Sequence, residues 1–245
     1  MFPGVMSADR SPSAEPIPAE PIPAEPSLVE DVLLLLFQPD SGTIAGENIL
    51  YYVLGGAAVA DLALTGAVDV DDTRLFARPV STTADERPAD ELLAPVWDYL
   101  QKKPRDVQTV LAAIGPNLRE PTLERLVARG ELRAETRKTL GVFSSTHYTL
   151  GGDRRARLLD AVRAALVDGA NPDARTAALA GLLSASDTLP WFDREIPWTS
   201  AVYTRGKAFE QGDWGAAAAA SAVARTVLAG VASSLVIAGV VSSRP

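Results

Sequence analysis

Residues Glu47 to Gly66 read ENILYYVLGGAAVADLALTG, and the way this stretch is read decides the fold. Ile49, Leu50, Val53, Leu54, Ala57, Ala58, Val59, Ala60, Leu62, Ala63 and Leu64 leave it almost no polar face. A helix that is apolar all round is buried on every side or sits in a membrane. Asp61 near its end and Gly55-Gly56 in its middle argue against a simple span. The paired glycines cost about 1 kcal/mol each relative to Ala, and in return let a second helix approach closely. Gly66 falls where a left-handed residue would cap the end. The stretch is therefore expected to be the central helix of an all-helical core.

Working outward, Ser27 and Glu30 form a capping box ahead of the apolar run Val32 to Phe37, and Gln38-Pro39-Asp40-Ser41-Gly42 stops that run. The capping box favours a helix over a buried strand. Upstream, residues 1–26 carry the near-repeat AEPIPAEPIPAEPS, whose prolines block helix and sheet; a disordered tail is expected there. Downstream, Val68 to Pro79 reads as extended. Asp69, Asp71 and Asp72 lack the Gly and distal Glu of a calcium loop, so they read as turn residues. Amphipathic helices are predicted over Pro88–Lys103 and Val107–Ile114, the second ended by Gly115-Pro116. Further helices are expected at Arg154–Val167, Ala174–Ser184 and Tyr203–Gly212. The Ala-rich stretch from Gly215 to Val241 has the length of a membrane span. Arg225, Ser221, Ser233 and Ser234 within it favour a buried closing helix instead. One mainly α domain, residues 27–245, is the expectation.

Composition narrows the chemistry. The chain has 245 residues, no Cys and a single His, His147. Disulfides, thiolate metal sites and Cys nucleophiles are excluded, and His-based triads or metal clusters nearly so. No Walker loop, GxSxG or HExxH occurs. His147 lies beside Tyr148 on a predicted hairpin strand and reads as a structural residue. A catalytic reading would need a carboxylate pair such as Asp187 with Asp193 in one cleft. The expectation is no enzymatic activity, no cofactor and no metal. The formal charge is −8, but it is uneven: Lys102 to Arg163 holds thirteen Lys/Arg against seven Asp/Glu. Such asymmetry suits an anionic partner, although the same charges also read as solvated helix faces.

Pro121 to Leu150, PTLERLVARGELRAETRKTLGVFSSTHYTL, follows the order helix, Gly, strand, loop, strand. That is the plan of a winged helix, with Arg125 and Arg129 as basic residues on the recognition helix. The acidic chain as a whole weakens a nucleic-acid reading, and a purely structural helix and hairpin is the alternative. Trp191 and Trp198, in LPWFDREIPW, read as core-packed aromatics, with a membrane- or ligand-facing patch as the other possibility.

Three stretches together resemble the Golgi phosphoprotein 3 family: LVEDVLLLLFQPDSG (Leu28–Gly42), YYVLGGAAVADLALTGAV (Tyr51–Val68) and LERLVARGELRAETRKTLGVFSSTHYTL (Leu123–Leu150). The Ala-rich style is similar to its bacterial members. The resemblance implies a helical bundle with surrounding short helices and one protruding β-hairpin. It also implies a non-enzymatic protein, cytoplasmic and peripheral on the membrane, that binds phosphatidylinositol 4-phosphate, an anionic lipid. Of the family's headgroup-pocket positions, Arg119 matches an arginine; the pocket Trp falls on Gly46, and two further Arg positions fall on Gly55 and Pro116. The hairpin residues Arg137, Lys138, Leu140, Val142 and Phe143 imply homo-oligomerisation through that element. A winged-helix nucleic-acid binder and a scaffold acting through its hairpin are the competing functional readings.

Overall fold

The computed structural model describes residues 25–71, 79–139, 143–212 and 218–237. It is mainly α, with three small antiparallel hairpins among the described residues: β1 (Phe37–Gln38) with β2 (Thr43–Ile44), β3 (Val68–Val70) with β4 (Val80–Thr82), and β5 (Leu132–Thr139) with β6 (Phe143–Leu150). The expected central helix is α2 (Leu50–Leu64). It packs against α1 (Leu28–Leu36), α4 (Val107–Ile114), α7 (Ala174–Ala185) and α9 (Ala218–Ile237), which explains why it needs no polar face. Gly66 ends it at φ 73°.

Gly55 and Gly56 serve two different neighbours. A Cβ at Gly55 would lie 3.2 Å from Leu111 Cα on α4, and one at Gly56 would lie 2.8 Å from Val231 Cγ2 on α9. The helices close on α2 from two sides at adjacent residues. The expected closing helix is thus α9, with Val223, Ala224, Val227, Leu228 and Val231 buried. No helix among the described residues is long and apolar enough to cross a membrane.

Helix α1 starts at the expected capping box: Glu30 N donates to Ser27 Oγ and Ser27 N donates to Glu30 Oε2 at 2.7 Å. Every residue of α1 is buried, Glu30 and Asp31 included. Two carboxylates without solvent must be paired, and four arginines from three helices supply the pairing. On α5 (Arg119–Ala128) and just after it, Arg125 and Arg129 reach Glu30 at 3.3 and 2.6 Å. Arg154 on α6 (Arg154–Leu166) and Arg175 on α7 close on Asp31 at 2.5 and 2.6 Å. Arg125 also forks onto Asp90 with bonds of 2.6 and 3.1 Å, and Leu28 N donates to Asp61 Oδ2 at 2.7 Å. This cluster ties the N-terminal turn of α1 to α2, α5, α6 and α7.

Several expectations are corrected. Pro88–Lys103 is helical only over α3 (Ala94–Gln101), because Asp90 folds the preceding segment into a turn, accepting from Leu92 N through its side chain and from Leu93 and Ala94 N through its carbonyl. Helix α5 begins two residues before Pro121, on a 3-10 turn Gly115–Asn117. Helix α8 (Ser200–Glu210) begins at a Thr199 cap rather than at Tyr203. The hairpin β5 (Leu132–Thr139) and β6 (Phe143–Leu150) pairs Leu132 with Leu150 and Thr139 with Phe143. The winged-helix order is present, but the helix preceding the hairpin turns Arg125 and Arg129 inward onto Glu30. They cannot serve as a solvent-facing recognition surface while so engaged.

Candidate functional site

After α1 the chain makes a tight two-residue ribbon, β1 (Phe37–Gln38) against β2 (Thr43–Ile44). It then runs through Gly46, at φ 68°, into α2. Three cavities open around this connector. The first, of about 290 Å³, is lined by Phe37, Gly42, Thr43, Ile44, Glu47, Arg119, Leu123 and Tyr148. The second, of about 390 Å³, takes in Gly46, Glu47, Asp187, Thr188 and Trp191. The third, of about 440 Å³, takes in Gln38, Asp40, Arg155, Trp191, Asp193, Arg194 and Glu195. Glu47 is common to the first two and Trp191 to the last two, so the three lie side by side on one face.

Arg119 stands at the first residue of α5, where backbone N–H groups lack helical acceptors. Its guanidinium is held by two carboxylates: Glu47, at 2.8 Å from Nε, and the adjacent Glu120. Burial opposes its charge, but these two acids outweigh that and raise its pKa further, so it is a fixed cation at the cavity wall. Tyr148, opposite, has its phenol pKa raised, chiefly by burial and then by Glu120; it is a neutral hydroxyl. His147 packs under the connector, where a Cβ at Gly42 would meet its Cε1 at 2.7 Å. Gly42 is at φ 69°, so glycine is required there on both steric and backbone grounds.

The chain belongs to the Golgi phosphoprotein 3 family. The family model, described as Golgi phosphoprotein 3 (GPP34), matches residues 28–226. No curated protein matches the sequence. The match spans α1 into the first half of α9 and takes in all three cavities, so the face around the connector belongs to the family domain.

Within this Golgi phosphoprotein 3 domain the resemblance-derived positions are scattered in environment. Gly46 lines the second cavity, and Arg119 the first. Gly55 lies against the α4 backbone, with no room for a side chain, so the helix crossing excludes an arginine there. Pro116 is exposed on the 3-10 turn. Of the hairpin residues, Arg137, Lys138 and Phe143 lie on β5 and β6 without described side chains, and Leu140 and Val142 fall outside the described residues.

The tryptophans divide. Trp198 is partly buried against the core and sets its ring edge-on to Tyr203, whereas Trp191 is 61% exposed, which overturns its reading as a core residue. Asp187 and Asp193 line different cavities on either side of Trp191. They do not form the shared carboxylate cleft that a catalytic reading would need. One functional candidate, Arg155, was missed from the sequence. It carries a readable signal: with Leu159, Val162 and Leu166 it occupies the buried face of α6, where a cation is out of place.

Proposed function

We propose that the protein is a non-enzymatic peripheral membrane adaptor which meets an anionic lipid headgroup, phosphatidylinositol 4-phosphate in the first instance, at Arg119. The observation that carries this reading is the family membership together with Arg119, the matched pocket arginine, standing at a cavity wall beside the start of α5. A phosphate there would meet a guanidinium and free helix N–H groups together. It must displace Glu47. That exposed ion pair is worth about 0–1 kcal/mol, so its displacement costs little. Arg125 and Arg129 add little to this face, because Glu30 and Asp90 already neutralise them. That same neutralisation weighs against the nucleic-acid reading.

The test is co-sedimentation with vesicles containing phosphatidylinositol 4-phosphate, against vesicles of equal charge without it. Arg119→Ala is expected to abolish the difference between the two, and Glu47→Gln to enlarge it. Equal weak binding to both, unchanged by Arg119→Ala, would mean that the fold has been kept and the ligand lost. Binding to duplex DNA but not to vesicles would reinstate the winged-helix reading.

Self-association through the β5–β6 hairpin is the second part of the proposal. By sequence alone, Leu140, Val142 and Phe143 are large apolar residues where β5 gives way to β6, and apolar residues left exposed together act as an interaction site. Deleting 138–142 is expected to convert an oligomer to a monomer in sedimentation velocity. An intact protein that stays monomeric at high concentration ends the idea, and with it the scaffold reading.

A further inference from the structure

Arg155 is only 8% exposed, yet no carboxylate among the described residues is within ion-pair distance of it. Its Nε donates to the carbonyl of Phe37 at 2.8 Å, and neither terminal nitrogen of the fork has a protein acceptor among the described residues. Burial lowers its pKa, even though Glu195 and Asp40 pull the other way from a distance. Those terminal nitrogens are not sealed from solvent; water can serve them, and an oxyanion in its place would add charge-assisted bonds. Arg155 lines the cavity of about 440 Å³, so whatever completes it enters from there.

The rim of that cavity has the opposite sign. Asp40, Asp193 and Glu195 line it, and Arg194 is drawn to Asp40 at 3.4 Å. Asp193 Oδ1 accepts from Trp198 N, which holds that loop in place. Trp191 presents an exposed ring at the same mouth. The arrangement is a guanidinium fork at depth, carboxylates outside it and an indole alongside. A plain anion would satisfy the floor and be repelled at the rim, and a plain cation the reverse.

We propose that this cavity binds a small zwitterion, an oxyanion carrying an ammonium a few bonds away, with phosphoethanolamine as the type. The oxyanion takes the two terminal nitrogens of Arg155 as a bidentate pair. The ammonium lies among Glu195, Asp193 and Asp40 against the face of Trp191, where a cation is attracted by the ring. The chemistry is that of a free phosphoethanolamine and equally of a phosphatidylethanolamine headgroup. The site is separate from the Arg119 cavity and stands or falls independently of it.

Titration calorimetry of the full chain with phosphoethanolamine, inorganic phosphate and ethanolamine tests this. Phosphoethanolamine is expected to bind saturably and about tenfold or more tighter than either fragment. Arg155→Lys, which keeps the charge and loses the fork, should weaken it by about tenfold or more. Because Arg155 also braces Phe37, the decisive variants are Glu195→Gln and Asp40→Asn on the exposed rim. They should weaken phosphoethanolamine several-fold and leave phosphate unchanged or tighter. Vesicles with and without phosphatidylethanolamine separate the sources. Binding that Glu195→Gln weakens on the former identifies the headgroup, and binding of the free compound alone identifies a soluble ligand. Arg119→Ala should change neither result. The proposal is overturned if phosphoethanolamine binds neither free nor in vesicles, if phosphate binds as tightly, or if the rim variants leave its affinity intact.

Discussion

The two ends of α1 hold arginine in opposite ways. At the N-terminal end, Glu30 and Asp31 sit in the helix's first turn, and Arg125, Arg129, Arg154 and Arg175 enclose them. The helix dipole favours carboxylates there, and every charge meets its opposite. At the C-terminal end, Phe37 offers a carbonyl to Arg155 and nothing more. The dipole favours a cation at that end, but a carbonyl does not neutralise it. Arg154 and Arg155 are successive residues on one helix, and one turn step of about 100° sends the first into the closed cluster and the second to a cavity floor. What separates a structural arginine from one open to a ligand here is whether the protein itself supplies the counter-charge. Arg119 lies between the extremes, paired but at the surface, with partners a ligand can replace.

That comparison is broken most directly at Asp31, on which Arg154 and Arg175 converge. Asp31→Asn leaves Arg154 and Arg175 facing a neutral amide in a buried site, and losing one member of such a cluster costs about 3–5 kcal/mol. Denaturant unfolding should show a much lower midpoint with an unchanged slope. Glu195→Gln, at the other end of α1, should stay within about 0.5 kcal/mol of the parent, as surface changes do. If both variants lose stability equally, the division between closed and open ends is wrong.

How much of this the sequence discloses depends on the distance between partners. The capping box of Ser27 and Glu30, three residues apart, is fully legible, and so is the burial of α2 from its missing polar face. The rest of the cluster is not. Arg129 lies 99 residues from Glu30, and Arg154 and Arg175 lie 123 and 144 residues from Asp31; no local pattern announces such pairings. Read locally, Arg125 and Arg129 at i and i+4 look like a basic face, when they are spokes to a buried carboxylate. The Gly55-Gly56 pair announces close approach but not that two helices, α4 and α9, arrive on different sides. Trp191 and Trp198, seven residues apart in one loop, are indistinguishable by composition. Only the turn held by Asp193 decides which one faces solvent.

The smallest effect sharpens the comparison from within the closed end. Asp61 is the least well served carboxylate of the cluster: Leu28 N donates to it, but Arg175 stands 3.8 Å away and is engaged with Asp31. Burial therefore raises its pKa above the usual carboxylate value, against the pull of the Leu28 bond and Arg175, with Asp90 and Asp31 adding to the rise. A raised value means that the folded chain keeps this proton over a pH range in which the unfolded chain has lost it. Stability from Asp61 is thus fullest below the ordinary value near 3.8 and declines as pH climbs through the folded value. Asp61→Asn keeps an oxygen for Leu28 N and removes the titration. The stability of the parent relative to this variant should fall with rising pH, at no more than about 1.4 kcal/mol per pH unit for one proton, and then level off. A difference that instead grows in the parent's favour with pH would make Arg175 a full partner of Asp61. The cluster would then be closed around Asp61 as well as around Glu30, Asp31 and Asp90.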